Sequence, residues 1–274
     1  MKKRLPVIIL RGGGDLASGV AIRLRRAGLN VVITELSQPL VVRRLVAFAS
    51  AVYENSIDVE GVTAKLVSNA ENALRVLQAD GIPVLVDPDC EVRFAEELNV
   101  CAIVDARMTK RPPYLGTDAA DMMIGLGPGF VAGENCHAVI ETMRGHYLGR
   151  VIWDGAPQPN TGAPGSVAGH KSERVLRAPI DGILRIAKKI GNHVLSQEKI
   201  AEVDGQPILA PFDGVLRGLL HDGLTVKEGM KVGDVDARGD PQYARLVSEK
   251  SLAIAGGVLE ALLTRPEIRN SLWS

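Results

Sequence analysis

Aromatic residues are scarce in this chain, and it carries no net charge of either sign. Phe, Tyr and Trp together make up 4% of its 274 residues, whereas 46% are hydrophobic. This composition favours an α/β core of aliphatic side chains over a groove lined with aromatic rings. The 32 basic side chains are balanced by 32 acidic ones. The chain is therefore not basic overall, and we predict no nucleic-acid partner.

Long apolar runs and paired cysteines are also missing. No run approaches the roughly 18 to 20 residues that a membrane span needs. The basic residues 2–4 precede only a short apolar run, Leu5 to Leu10, before glycines begin. That run is too short for a signal peptide. Cys90, Cys101 and Cys136 show no paired spacing, which is typical of a reducing compartment. We expect a cytoplasmic protein without a membrane segment.

Basic residues are concentrated at the start of the chain. Residues 1–50 hold nine Lys and Arg against two acids, Asp15 and Glu35. Two interpretations stay open. The basic residues form a solvated helix face, or they attract an anionic ligand or an acidic partner.

The first 105 residues alternate between short apolar runs and stretches with helical periodicity. Helices are predicted over residues 16–27, after Ser37, after Ser68 and over residues 88–98. Buried strands are predicted at residues 5–10, 31–35, 83–86 and 101–104. Strands that alternate with helices imply an α/β fold with a Rossmann-like, mostly parallel sheet.

A glycine motif lies between the first strand and the first helix. Gly12, Gly14 and Ala17 have the spacing of a dinucleotide-binding fingerprint, and Glu35 ends the next strand, where an acid would bind a ribose hydroxyl. Asp15 weakens this interpretation, because its charge lies inside the expected phosphate cradle and it could equally cap the helix. The alternatives are a nucleotide loop, with NAD-dependent oxidoreductase chemistry, and a structural loop or one for another ligand.

Two further segments end predicted strands at the same edge of the sheet. Asp87-Pro88 follows one strand, and Asp105-Ala106-Arg107 follows another. Ligands of open α/β sheets bind at the carboxyl ends of the strands. If the chain binds a small molecule, this edge is the first candidate.

The middle of the chain, residues 125–170, is rich in glycine and proline. Gly127 and Gly129 belong to a tight loop with free backbone donors, Asn135 follows it, and Arg144 lies in a predicted hairpin turn. Residues 154–170 are either a linker or a functional loop that offers Asn160 to a ligand, since structureless stretches of this length are uncommon in compact domains.

Two pairs in this region resemble catalytic or metal groups but are predicted to be neither. His137 and Glu141 would share a face of a helix, but the β-branched residues around them favour strands, on which they lie about 13 Å apart. Cys136 and His137 are adjacent, so on a strand they point to opposite faces. We predict no metal site, and no catalytic residue is assigned.

A tandem repeat follows. Residues 176–185 (LRAPIDGILR) return as residues 209–217 (LAPFDGVLR). Two such units packed together predict an all-β module of the biotinyl/lipoyl barrel-sandwich kind. Val203 stands where carrier domains of that fold hold their cofactor on a Lys, so no biotin or lipoate is expected.

The last segment is predicted to be an apolar helix, and it completes the domain division. Gly256 and Gly257 lie within it and would each cost about 1 kcal/mol relative to Ala. Close approach of another backbone or of a ligand would offset that cost. We expect the helix to pack on the sheet domain or on a second subunit, as in a homo-oligomer. The predicted domains are residues 1–170, 171–240 and 241–274.

Five motifs together resemble one family across nearly the whole chain. They are RGGGDLASG (11–19), GLGPGF (125–130), HAVIETMRGH (137–146), NTGAPG (160–165) and GGVLEA (256–261). They resemble the YqeB-type accessory proteins of selenium-dependent molybdenum hydroxylase systems. The resemblance implies a cytoplasmic protein that helps to mature the hydroxylase or to insert its molybdenum cofactor. The partners it implies are the hydroxylase and an XdhC-like protein.

The leading functional prediction is therefore an accessory protein that binds an anionic pterin, a nucleotide or the apoenzyme. The alternatives are an NAD-dependent oxidoreductase and a structural scaffold. The ligand, molybdopterin-like or nucleotide, and any reaction are left open. The residues predicted to line or shape the site are Gly12, Gly13, Gly14, Asp15, Ala17, Glu35, Asp105, Arg107, Gly127, Gly129, Asn135, Arg144 and Asn160.

Overall fold

The chain is divided into two compact units. The computed structural model describes residues 6–160 and 173–271. The first unit comprises Met1–Pro39, Phe48–Asn160 and Val247–Ser274, and the second comprises Leu40–Ala47 and Thr161–Leu246. The three predicted domains, residues 1–170, 171–240 and 241–274, stay a prediction.

A mixed sheet of nine strands forms the centre of the first unit, in the order β3-β4-β5-β2-β1-β6-β7-β8-β9. Its strands are β1 (Pro6–Arg11), β2 (Asn30–Glu35), β3 (Ser56–Val59), β4 (Val62–Val67), β5 (Ile82–Val86), β6 (Asn99–Asp105), β7 (Met122–Leu126), β8 (Ala138–Ile140) and β9 (Val151–Ile152). The strands from β4 to β8 run parallel, and the hairpins β3–β4 and β8–β9 add an antiparallel strand at each edge. All parallel strands therefore end at one carboxyl edge.

Helices cover this sheet. They are α1 (Asp15–Arg26), α2 (Ala51–Glu54), α3 (Ala70–Gln78), α4 (Glu249–Leu263) and α5 (Pro266–Ser271). α4 packs against α1, and the Ser251 hydroxyl donates to the carbonyl oxygens of Asp15 (2.9 Å) and Leu16 (3.1 Å). Gly19 allows this contact, because a Cβ there would overlap the Ser251 side chain. α4 thus reaches the start of α1.

The second unit is built from the tandem repeat. Its strands are β10 (Val175–Arg177), β11 (Gly182–Ile186), β12 (His193–Val194), β13 (Lys199–Val203), β14 (Gln206–Leu209), β15 (Gly214–Leu219), β16 (Thr225–Val226) and β17 (Lys231–Asp236). They form two four-stranded sheets, β10-β17-β15-β12 and β14-β13-β11-β16. The repeated Asp has the same role in both copies. Asp181 accepts from the amide of Glu228 (2.8 Å), and Asp213 accepts from that of Ser196 (2.7 Å).

The predicted fold class is wrong. A mostly parallel Rossmann-like sheet and a biotinyl/lipoyl-like barrel-sandwich were expected. The first sheet is instead mixed, because a hairpin closes each of its edges. The repeat forms two separate antiparallel sheets, because strands of one copy pair with strands of the other, β10 with β17 and β12 with β15. We therefore assign no barrel-sandwich module. Val203 is a buried residue of β13.

Two local helix predictions also fail. Residues 88–98 contain only a 3-10 turn at Glu91–Phe94. The Asp87 carboxylate accepts from the amides of Glu91 and Val92, which closes a tight turn instead of starting a helix. The segment after Ser37 forms 3-10 turns and the short α2. Among the described residues, no helix has the length and apolar character to cross a membrane.

Candidate functional site at the sheet edge

The strand order reverses at β1. The chain passes from β1 to β2 on one side of it and later returns to place β6 on the other side. The carboxyl ends of β1 and β6 therefore flank the topological switch point, where open α/β sheets form their ligand crevice. The residues that end these strands are Arg11 and Asp105.

Arg11 and Asp105 form a buried ion pair, which we call the switch-point pair. Each residue is 1% exposed, and Arg11 Nη1 lies 3.1 Å from Asp105 Oδ2. Arg11 Nη2 also donates to the carbonyl oxygen of Pro88 (3.0 Å) and to the Tyr114 hydroxyl (2.8 Å). Among the described residues, the buried Arg11 Nε has no hydrogen-bond partner. The ion pair with Asp105 and the two hydrogen bonds of Nη2 offset the cost of burying the guanidinium.

Arg107 is a second cation that binds the same carboxylate from the surface side. Its Nε donates to Asp105 Oδ1 (2.9 Å) and its Nη2 to Asp105 Oδ2 (2.6 Å). The side chain is 27% exposed, so it reaches from the buried pair to the surface at the sheet edge. Gly12, at φ +92°, lies directly against it, since a Cβ on Gly12 would lie 3.3 Å from the Arg107 Cγ. The glycine loop and Arg107 are therefore parts of one surface.

Glu35 is bound to the glycine loop itself. Its Oε1 accepts from the Gly13 amide (2.6 Å), and its Oε2 accepts from the Leu36 amide (2.8 Å). The residue is 8% exposed. Burial raises the pKa of Glu35, and these two hydrogen bonds offset part of that effect. The Gly13 amide and the carboxylate, both expected to face a dinucleotide, are therefore bonded to each other.

This burial makes stability depend on pH through Glu35. Its pKa in the folded chain lies above the ordinary 4.5, so the folded chain binds this proton more readily than the unfolded chain does. The resulting stabilisation is complete below the unfolded pKa and is lost as pH rises through the folded pKa. We expect the free energy of unfolding of wild type, relative to Glu35→Gln, to fall as pH rises above the ordinary glutamate pKa of 4.5. Urea titrations measure it. Exposed Glu54, as Glu54→Gln, is the control, and an equally flat profile for both variants would contradict the burial of Glu35.

The loop after β7 is held by its own contacts. Asn135 Oδ1 accepts from the Val131 amide (2.9 Å), and Nδ2 donates to the Gly129 carbonyl (3.3 Å). Gly129, at φ +109°, lies against residues of the loop after β6, since a Cβ there would be 2.5 Å from the Arg111 carbonyl oxygen. Gly127, at φ +69°, lies equally close to Thr142. These residues bring the loops after β6, β7 and β8 together.

Further cations surround the crevice. Arg144, after β8, pairs with Glu249 at the start of α4. Lys250 follows in α4, and burial lowers its pKa. The positive charges of Arg144 and Lys110 lower the pKa of Lys250 further, against the opposite effect of Asp15 and Glu141. These groups are therefore close enough to interact.

We name Arg107, Lys110, Arg144 and Lys250 the cationic rim. Acids also lie near this rim: Glu249 pairs with Arg144, and the charge of Asp15 acts on Lys250. Asp105 binds two guanidiniums. Glu141 is 2% exposed and accepts from the amides of Met143 (2.7 Å) and Gln158 (2.8 Å).

The loop after β6, which carries Arg107 and Lys110, has an unusual backbone. Met108 (φ +56°) and Lys110 (φ +59°) both adopt the left-handed conformation. Non-glycine residues rarely do so, and such positions are concentrated at functional sites. We take this loop as part of the candidate site.

The structure brings most of the predicted site residues to this edge. Gly12 lies against Arg107, which binds Asp105, and Asp15 and Arg144 both lie near Lys250. Ala17 is buried in α1, and Asn160 is exposed at the end of a described segment. Glu141 fixes the start of the 154–170 segment through Gln158. Residues 161–170, like Lys2, Lys3 and Arg4, lie outside the described residues, so the choice between linker and loop stays open there.

The sequence analysis missed four residues of the site: Arg11, Lys110, Tyr114 and Lys250. Arg11 had a recognisable signal, because it is a charged residue at the end of a fully buried apolar run. The other three come from loops and a helix whose positions the periodicity of the sequence does not give.

No thiolate or histidine is assigned a role in this site, although buried Cys90 lies near Arg11, Arg107 and Tyr114. Burial raises the pKa of Cys90 and Cys136 to about 11 and that of Cys101 to about 12, so all three are thiols at neutral pH. His137 Nδ1 accepts from the Met123 amide (2.9 Å). In the part of the chain that the structure describes, no group of three or more His, Cys, Asp or Glu side chains could hold a metal ion.

Comparisons with solved structures give only distant likenesses, and no protein-family model matches the chain. An aspartoacylase family protein of Mesorhizobium loti is 12% identical, covers 85% of each chain and has a TM-score of 0.28. The ectoine utilization protein EutE of Ruegeria pomeroyi is 13% identical, covers 85% of each chain and has a TM-score of 0.24. These names do not support the predicted descriptions of this chain as a molybdenum hydroxylase accessory, as a molybdenum-cofactor or selenium protein, or as biotinyl/lipoyl-like. We withdraw the biotinyl/lipoyl-like description, and the molybdenum hydroxylase role stays a prediction.

A curated relative gives a much stronger match. "Uncharacterized protein YqeB" of Escherichia coli (strain K12) is 48% identical over 257 residues, which is 94% of this chain. The match spans 47% of the relative, so the chain spans about half the length of that protein. The chain is a homologue of YqeB over that half and belongs with it to the YqeB family.

Proposed function

We propose that this chain binds an anionic, phosphate-bearing ligand at the carboxyl edge of its mixed sheet, between the glycine loop and the cationic rim. The observation that carries the proposal is a cluster of cationic side chains at this edge. Lys110, Arg144 and Lys250 lie close enough for their charges to interact, and Arg107 lies against the glycine loop. Because Arg107 and Arg144 are already paired with Asp105 and Glu249, we expect an anion to bind chiefly to Lys110 and Lys250.

The start of α1 supports the same proposal. The helix begins after Gly14, which has no side chain to cap it. Helix N-termini favour anions, because their first amides lack partners and the helix dipole is positive there. Asp15 occupies the first turn and limits this contribution, so the rim supplies most of the attraction.

NAD is a less suitable ligand than a smaller phosphate compound. The Gly13 amide and Glu35 are bonded to each other. A Cβ on Gly13 would lie 2.8 Å from the amide nitrogen of Ala49. The segment at Ala49 therefore covers this side of the loop. We expect NAD not to bind in the micromolar range.

Lys250→Ala tests the proposal. Removing one charge-assisted contact typically costs about 1.5–3 kcal/mol. The dissociation constant for pyrophosphate should therefore rise about tenfold or more. Isothermal titration calorimetry on the whole chain measures it, with NAD in parallel as the weaker ligand. Affinity should also fall as pH rises through the lowered pKa of Lys250.

Lys65→Ala is the matched control, because Lys65 is an exposed lysine of β4. It should leave pyrophosphate binding unchanged. If wild type does not bind pyrophosphate, or if both variants weaken binding equally, the proposed site is wrong.

The wider role implied by the family resemblance is not part of this proposal. Maturation of a molybdenum hydroxylase, insertion of its cofactor, the hydroxylase and XdhC-like partners, a homo-oligomer and a cytoplasmic location all stay predictions. Each would be compatible with an anionic ligand of the pterin or nucleotide class.

A further inference from the structure

One exposed aromatic ring lies beside the candidate anion site and is unusually well fixed. Tyr114 is 58% exposed. Its hydroxyl accepts from Arg11 Nη2 (2.8 Å) and donates to the Asp89 carbonyl oxygen (2.8 Å). Two prolines precede it, and the next residue, Leu115, is buried. An ordinary surface tyrosine changes rotamer freely. This ring is held by the two hydrogen bonds of its hydroxyl and by the constrained backbone on either side of it.

The ring is also polarised by the cations of the site. The guanidinium carbon of Arg11 lies 4.7 Å from the ring centroid and that of Arg107 lies 5.7 Å away. Arg107 touches the glycine loop at Gly12 as well. A ligand with its phosphate on Arg107 would therefore have the Tyr114 ring within reach of whatever group the phosphate is attached to.

We infer that the ligand carries a flat heteroaromatic ring, which stacks on the exposed part of Tyr114 while its phosphate binds at the cationic rim. This inference rests on the proposed function and narrows it from any phosphate compound to a heterocyclic phosphate of the nucleotide or pterin kind. A ring that is already immobilised loses no rotamer freedom when it stacks, so the contact costs little entropy. Stacking tolerates many heterocycles, because each presents a π face.

Two ligands that differ only by the heterocycle test this inference. Guanosine monophosphate and ribose 5-phosphate share the sugar and the phosphate, and calorimetry on the whole chain compares them. Stacking on one aromatic side chain is worth about a tenfold change in affinity or more. Wild type should therefore bind the nucleotide about tenfold more tightly than the sugar phosphate.

Two substitutions separate stacking from anchoring. Tyr114→Leu keeps an apolar side chain but removes the ring, and it should bring the two dissociation constants to within about threefold of each other. Tyr114→Phe keeps the ring and loses the hydroxyl bonds, and it should retain most of the preference for the nucleotide. Thermal melting checks that each variant is folded.

Phe94→Leu is the matched control. Phe94 is 68% exposed, and its ring lies 4.0 Å from the guanidinium carbon of Arg93. Its loss should leave the preference unchanged. Equal binding of both ligands to wild type overturns the inference, as does a Tyr114→Leu variant that weakens both alike. Binding of pyrophosphate to wild type distinguishes failure of the stacking inference from failure of the proposed anion site. If it binds, only the stacking inference fails, and if it does not, the proposed site fails too.

Discussion

Asp105→Asn should be among the most destabilising substitutions in this chain. The Asp105 carboxylate is 1% exposed and binds Arg11, itself 1% exposed, together with Arg107. The amide removes the negative charge and leaves the Arg11 guanidinium buried without its counter-ion. Breaking a buried ion pair in this way typically costs about 3–5 kcal/mol. At this chain length we expect the melting temperature to fall by about 6 to 20 °C.

Two comparisons define the origin of this loss. Asp118→Asn changes an exposed carboxylate of the same unit and should leave the melting temperature within about 2 °C of wild type. In an Arg11→Met background, Asp105→Asn should cost clearly less than it does alone, because the buried cation is already gone. Equal costs in both backgrounds would show that the switch-point pair is not the source of the stability.

The central strands could be predicted from the sequence because they are buried on both faces. The apolar runs at β1, β2, β5 and β6 leave little choice of structure. The hairpin β3–β4 was missed, although Glu60 and Gly61 (φ +51° and +80°) form its turn, since its strands are short and partly exposed. The 88–98 helix was wrongly predicted because periodicity cannot register that the Asp87 side chain binds the amides of Glu91 and Val92.

The site was only partly predictable, for a different reason. Asp105 and Arg107 end a strand, and the position of strand ends follows from the fold class. Lys250 reaches the same crevice only because α4 packs on α1, more than 200 residues away in sequence. The sequence also could not reveal that Glu35 is bonded to Gly13 instead of facing a ligand. Such a pairing depends on the loop conformation, not on residue type.

Substituting Ala for each of two adjacent glycines of α4, Gly256 and Gly257, should change the stability of the chain in opposite directions. A Cβ on Gly257 would overlap the carbonyl oxygen of Gly149 and lie 3.0 Å from Ile140 Cγ2. Gly149, at φ +80°, lies just as close to the carbonyl oxygen of Ala253, one turn earlier in the same helix. The hairpin backbone is thus in direct contact with the helix. Gly257→Ala should therefore destabilise the chain by about 1–3 kcal/mol.

Gly256→Ala is the built-in control. A Cβ there would meet no described atom within 4 Å, and alanine is favoured over glycine in a helix interior by about 1 kcal/mol. This variant should therefore be more stable than wild type, and urea titration of both variants measures the difference. Glycine at position 257 costs helix stability but is required by the contact with Gly149. Packing within the described chain does not require glycine at position 256. If the two variants shift stability in the same direction, α4 does not lie against the hairpin as described, and Lys250 loses its place in the cationic rim.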